Sequence, residues 1–170
     1  SSSGSASGAA SSGSSYTILY DSQPATLNYL TTGTDLEMVV GANCVDTLVE
    51  YDNKGVMREG LATSWDWDVD TLTWTFHLRE ENWVDCNGEV KELITATDFL
   101  VGLEWVLNAS KNEANNTSMP TLYIVGAEEY YEKTKDMGAA AADLRYQDML
   151  DAGVGIEAPD DYTLLFTCKD

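Results

Sequence analysis

From Thr71 to Leu78 the chain alternates without a break. Leu72, Trp74, Phe76 and Leu78 fall on one side, and Thr71, Thr73, Thr75 and His77 on the other. Strict alternation places successive side chains on opposite faces of an extended strand, so this segment reads as half-buried β-structure. Ser64 to Trp67 precedes it across Asp68-Val69-Asp70, and the two runs are expected to pair as a hairpin. A hairpin with one aromatic face is not stable alone, so helices elsewhere in the chain must cover that face. Hydrophobic residues make up 44% of the sequence, with five Trp, nine Tyr and three Phe, which is enough for a real core. Its 170 residues leave room for one domain or one and a half.

The covering helices can be located. Thr95-Ala96-Thr97-Asp98 resembles a capping box with Asp in place of Glu. A helix is expected from there to about Asn108, with Leu100, Leu103 and Leu107 on one stripe and Phe99 and Val106 beside it. Upstream, Leu36, Val39, Val40, Cys44 and Leu48 recur at helical spacing, predicting a helix from Asp35 to near Val49, capped by Thr34 or Asp35. Asp52-Asn53-Lys54-Gly55 and Asp85-Cys86-Asn87-Gly88 read as turns, and residues 110–118 as a polar loop. Ala127 to Lys135 and Ala139 to Leu150 are two further predicted helices, the second favoured by its alanine run and stopped by Gly153 and Gly155. After the turn at Asp160-Asp161, Tyr162 to Cys168 is a final strand. Tyr16 to Tyr20 reads as a first strand, and Pro24 keeps the segment after it out of a helix.

Residues 1–15 contain only Ser, Gly and Ala, offer nothing to bury, and are expected to form a flexible coil about 20 Å from end to end. A cloning scar or a tether to a lipid-modified N-terminal Cys would both have this composition. The length and variety fit the tether better. No basic start followed by an apolar stretch occurs, so the expectation is a chain from which any signal peptide has been removed. The chain stops two residues after its last predicted strand, which suggests an excised or truncated piece.

Charge narrows the function classes. With 29 acidic and nine basic residues the net charge is −20. Binding nucleic acid needs Lys and Arg to neutralise phosphates, so that class is excluded, and docking on anionic lipid by charge alone is disfavoured. Solubility is the plain reading of the excess, and a cation-attracting face the sharper one. No apolar run reaches 18 residues. Cys44, Cys86 and Cys168 lie far apart without a CxxC motif, which argues against a structural zinc site. Cys44 and Cys168 sit in apolar surroundings and are expected in the core, and Cys86 in an exposed turn.

The motifs carry no enzyme signature. Asp66, Asp68 and Asp70 alternate as in a calcium loop, but Thr71 and His77 stand where such a loop needs Gly and Glu. His77 falls on the polar strand face with no nucleophile in view. Sequons at Asn108, Asn115 and Asn116 are short matches that matter only in a eukaryotic secretory pathway. No GxGxxG, P-loop, GxSxG or HExxH occurs. The expectation is a non-enzyme without cofactor or metal.

One long stretch is more specific. Leu61, Ala62, Ser64 and Trp65, then Trp74 to Arg79, then Trp83, Asp85 and Gly88, then Thr95, Ala96, Asp98 and Phe99 follow one another at set intervals. This order resembles the family 5 bacterial extracellular solute-binding proteins, the oligopeptide and dipeptide receptors of ABC importers. Val154 to Leu164 is similar to the family's later strand entry, and Tyr20 to Leu30 to its opening segment, with Asn28-Tyr29 where Asp-Pro is usual. The resemblance runs from Tyr16 to Asp170. The tryptophan-to-leucine element closing the central pattern is shifted here, and Trp83 to Thr95 and Met137 to Asp151 are longer than the pattern, as surface insertions would be.

The resemblance implies a partial periplasmic-binding-protein type II fold of mixed α/β (α+β) class, its mixed sheet packed with helices. Residues 16–43 would supply the first strand and helix of one lobe, and 44–170 an accessory α/β subdomain. The second lobe would be absent. It implies an extracytoplasmic substrate-binding component, on a cell surface or in a periplasm, that captures oligopeptides and delivers them to ABC permease subunits. Membrane association would come only through an N-terminal lipid anchor absent from this chain. Carried over by position, Ser22, Gln23, Pro24 and Ala25 would meet the peptide backbone as an added strand. Pro24, lacking an N–H, departs from an ideal edge. A plain loop is the competing reading of that segment. The same fold with another small solute (a metal chelate, sugar or opine), or a surface module without transport, are the competing functions.

Overall fold

The computed structural model describes Thr17, Leu19 and residues 22–169. The predicted coil at 1–15 lies outside them, as do Tyr16 and Tyr20 at the ends of the predicted first strand.

The fold is mixed α/β around a four-stranded antiparallel sheet. Strands β3 (Ala62–Asp68) and β4 (Thr73–Leu78) form the expected hairpin, with Trp65 opposite Phe76 and Trp67 opposite Trp74. Strand β8 (Thr163–Thr167) pairs with β4, and β7 (Ile156–Asp160) with β8, giving the order β3-β4-β8-β7. Because opposed residues share a face, Trp65, Trp67, Trp74, Phe76, Leu164, Phe166 and Ile156 make one apolar surface. Phe76 and Phe166 meet edge to face, centroids 6.0 Å apart. The strand starts two residues later than alternation suggested. Leu72 turns left-handed at φ 53, and the Asp68 carboxylate accepts the N–H groups of Asp70 and Thr71, which sets the four-residue loop.

Helix α2 (Ala96–Leu107) lies on the apolar face against β7. Asp98 closes its first turn by accepting the Thr95 N–H at 2.7 Å, an N-terminal bond of a kind worth about 1 kcal/mol. Leu100 and Leu107 bury with Ile156, Leu164 and Met149 of α6 (Tyr146–Asp151), and with Tyr130 of α5 (Ala127–Lys135). Trp74 and Phe76 are half-buried, because the helices cover the β8–β7 side of the sheet more fully than the hairpin.

Four expectations need correction. Helix α1 spans only Asp35–Gly41. Beyond it, the Asn43 amide and the Cys44 and Val45 N–H groups turn back onto Val39 and Gly41, and the Leu48 carbonyl accepts from Gly60 and Ala62. The ladder to β1 (Val49–Tyr51) and β2 (Met57–Glu59) outweighs weak helix formers such as Val45 and Thr47. Cys44, past the helix end, is therefore exposed rather than core. The 139–150 helix is instead a 3-10 stretch, Gly138–Asp143, followed by α6, with Leu144 and Arg145 extended between them. Residues 110–118 are not all loop, since α3 (Ala109–Asn112) and the first residue of α4 (Ser118–Tyr123) lie there. The segment after Trp83 forms a hairpin of its own, β5 (Asn82–Val84) with β6 (Val90–Leu93).

Turn aspartates give the fold an acid dependence. The carboxyl of Asp68 is held below its ordinary value by the Asp70 N–H, Asp52 by the Val56 N–H, Asp85 by Lys91, and Asp160 by the Tyr162 N–H. A lowered folded pKa stabilises above the unfolded value, 3.8, and the stabilisation is lost as pH falls through the folded one. Thermal midpoints should therefore decline as pH drops below about 4. Asp68→Asn keeps an acceptor but cannot titrate, so its decline should be shallower than the parent's. Identical slopes would contradict the assignment.

Candidate ligand-binding edge

The segment predicted to meet ligand runs over the surface in front of α1. Ser22, Gln23, Pro24 and Ala25 are all exposed and belong to no sheet of the described residues. One internal bond fixes the end of this stretch: the Ala25 N–H donates to Glu37 Oε1 at 2.7 Å. Glu37 is the third residue of α1, and only 5% of it is exposed. Its second oxygen, Oε2, is buried without a hydrogen-bond partner among the described residues.

A second set of bonds fixes residues 28–32. Asn28 organises a turn, accepting the Leu30 N–H at its side chain and the Thr31 N–H at its carbonyl. Two asparagines from the α3–α4 connection then clamp the turn. The Asn115 amide donates to the Thr31 carbonyl at 2.7 Å and its backbone N–H to Leu30, while the Asn116 amide donates to the Tyr29 carbonyl at 3.0 Å. Gly41 lets α1 approach closely, since a Cβ there would sit 3.2 Å from that of Tyr29. This turn is thus bolted down on two sides, by Asn115 and Asn116 and by α1.

Tyr29 and Leu30 also form one wall of a groove of about 450 Å³, closed by Trp83, Phe99, Leu103 and Met119. Asp98, one of its few polar groups, is already engaged by the Thr95 N–H and by Trp83 Nε1 at 3.4 Å. The groove's lining is mostly apolar and suits apolar side chains. Among the described residues, no group of three or more His, Cys, Asp or Glu could hold a metal ion. His77 is exposed and lies 3.9 Å from Asp66 across the hairpin. The pKa shifts fall elsewhere: burial pushes the Tyr130 phenol up to about 12, and pushes the Cys168 thiol up as well.

Sequence reasoning found the exposed segment but missed its supports. Glu37 reads as an ordinary first-turn acid of a helix, and nothing local shows that it faces inward. Asn115 and Asn116 read as sequons, whereas their amides are spent on residues 29–32. The contacts that give these residues their roles span 12 and more than 80 positions.

Comparison with known proteins supports the same architecture. Residues 56–170 match the profile of the bacterial extracellular solute-binding proteins, family 5 Middle. The oligopeptide-binding protein SarA of Streptococcus gordonii is 29% identical over 157 residues, 91% of this chain and 21% of that protein. The oligopeptide-binding protein AliB of Streptococcus pneumoniae is 33% identical over 159 residues, 89% of this chain and again 21% of the relative. The chain thus spans about a fifth of the length of these relatives. Among solved structures, the Borrelia burgdorferi oligopeptide-binding protein OppAIV superposes with a TM-score of 0.66 at 27% identity, over 88% of this chain and 26% of that one. Haemophilus influenzae OppA in complex with RPPGFSPFR gives 0.65 at 26% identity, over 86% and 25%. Among the described residues, no helix is long and apolar enough to cross a membrane. With more than half of its length matching the profile and its fold shared with two members of the OppA type, the chain belongs to the family 5 bacterial extracellular solute-binding proteins.

Proposed function

We propose that this chain is part of the extracytoplasmic substrate-binding component of a peptide ABC importer, a receptor that captures oligopeptides and hands them to permease subunits. The observation that carries the reading is the exposed segment Ser22 to Ala25, tied at Ala25 to Glu37 of α1, in a chain of this family. A surface segment whose Pro24 and Ala25 carbonyls accept no backbone bond among the described residues can take an extended peptide as an added strand and read its main chain through backbone hydrogen bonds. Residues 16–43 contribute to the first lobe and 44–170 form the accessory subdomain. A second lobe beyond this chain closes the cleft by hinge motion and supplies the charged anchor for the peptide. A lipid anchor upstream of the Ser/Gly segment holds the receptor at the cell surface.

Calorimetry with a tripeptide-to-pentapeptide library tests the reading on the full chain the gene encodes and on residues 1–170. Immobilisation costs at least about 4 kcal/mol. One wall without an anchor should therefore bind no tighter than about 1 mM, whereas a closed two-lobed site should reach about 1 μM or better. A full chain that binds no peptide refutes the function. Micromolar binding by residues 1–170 refutes the placement of most of the site outside this chain.

A further inference from the structure

We infer that Glu37 is a positioning residue for the ligand edge, and that it makes the Pro24–Ala25 half of that edge one that accepts hydrogen bonds but does not donate them. The inference rests on the proposed peptide-binding role of Ser22 to Ala25.

A strand edge normally offers a ligand both N–H donors and carbonyl acceptors. Here Pro24 has no N–H, and the N–H of Ala25 is turned inward onto Glu37 Oε1 at 2.7 Å. The carbonyls of Pro24 and Ala25 carry no hydrogen bond from within the chain among the described backbone pairs, and both residues are exposed. This half of the edge therefore has no N–H to offer a ligand, and carbonyl oxygen is what remains for it to pair with. A ligand matching it must bring its own N–H groups there, which an ordinary peptide does and a proline or N-methylated residue does not.

The cost of the arrangement supports a role beyond stability. Glu37 spends one oxygen on the Ala25 N–H and leaves the other, in a residue 5% exposed, without a partner among the described residues, and an unpaired buried polar atom costs stability. Local arrangements that lose stability collect at functional sites. Pro24 adds to the same end, because it biases Gln23 toward extended backbone and fixes its own φ. One proline and one buried acid thus restrict the backbone at Pro24 and Ala25, so ligand binding has less ordering to offset there.

The test uses the full chain with a fixed tetrapeptide selected from the library and an ester scan of it, each ester replacing one backbone N–H with oxygen. The parent should lose about tenfold in affinity at the ester facing Pro24 or Ala25, from one lost hydrogen bond. Glu37→Gln keeps the acceptor and should bind within about threefold of the parent with the same ester profile. Glu37→Ala frees the Ala25 N–H, and should bind about tenfold or more weakly with its position-specific ester loss flattened. Thermal unfolding of each variant separates misfolding from misplacement, and the parent's ester scan stands even if Glu37→Ala does not fold. A parent indifferent to every ester, or a Glu37→Ala variant with parental affinity and profile, overturns the inference. A photo-crosslinker at Gln23 reports on the underlying reading alone. Capture of the peptide there, together with parental behaviour of Glu37→Ala, sinks only the role of Glu37, whereas absence of capture sinks the ligand edge itself.

Discussion

Replacing Gly126 with alanine should lower stability by at least about 3 kcal/mol, a fall in thermal midpoint of roughly 6–12 °C for a chain of this size. Gly126 joins α4 to α5 at φ 71, a region that costs an L-residue about 1–2 kcal/mol. The larger cost is steric. A Cβ at this position would stand 2.5 Å from the Gly153 carbonyl oxygen and 2.9 Å from its carbon. Both are backbone atoms and cannot rotate away. The neighbours make a shift expensive, because Val125 donates to the Thr167 carbonyl and accepts from Gly155, and Ile124 bridges to Cys168. The α4–α5 connection is stitched to the C-terminal end of β8 at this point, so moving Gly126 disturbs the packing of α5 against α2 and the core they share. Gly138→Ala is the matched control. Its φ is 54, but a Cβ there meets nothing within 4 Å, so only the dihedral cost of about 1–2 kcal/mol applies. Urea unfolding of both variants measures the difference. Equal losses would show that backbone conformation, not contact with Gly153, sets the requirement for glycine.

The sheet and its main helix were legible because their signals are local. Trp74, Phe76 and Leu78 declare a face by alternation, the Asp68 turn declares a hairpin, and Thr95 with Asp98 declares a helix start. The misplaced elements are those decided by distant partners. Cys44 and Leu48 continue the helical spacing, but the Leu48 carbonyl is claimed by Gly60 and Ala62. The alanine run at 139–142 favours an α-helix by propensity, yet the Ala141 carbonyl is taken by the Asn108 amide, 33 residues away. That bond and the extended Leu144–Arg145 step leave a 3-10 stretch in its place. The candidate site divides in the same way. Exposure of Ser22 to Ala25 follows from Pro24 and a polar composition, whereas their anchoring by Glu37, Asn115 and Asn116 depends on the folded path.

Asn108→Asp should be among the most damaging polar substitutions in the chain, with an expected loss of about 3–5 kcal/mol. Asn108 is fully buried, and its amide donates to Glu104 Oε1 at 2.7 Å and to the Ala141 carbonyl at 2.9 Å. Glu104 is itself only 5% exposed, and its nearest cation, Lys111 Nζ, stands 3.9 Å from its other oxygen. Aspartate would exchange two donations for a second carboxylate facing the first, and would leave the Ala141 carbonyl with the Leu144 N–H alone. Asn108→Ala removes the donors without adding charge and should cost less, about 2 kcal/mol. Nearby Tyr130 predicts the opposite sign. Its hydroxyl is buried with no partner among the described residues, so Tyr130→Phe removes an unsatisfied group while keeping the ring that fills the core, and should be neutral or stabilising by up to about 1 kcal/mol. The same variant tests the ionisation. Burial, then the charges of Glu104 and Asp148, raise the Tyr130 pKa from 10.0 to about 12. A phenol raised in the folded state stabilises below its unfolded value and loses that contribution as pH rises through the folded one, which here is the alkaline window from 10.0 to about 12. Denaturant midpoints of the parent should therefore fall across that window, and those of Tyr130→Phe should fall less. A phenylalanine variant clearly less stable than the parent at neutral pH would mean that the Tyr130 hydroxyl has a hydrogen-bond partner in solution.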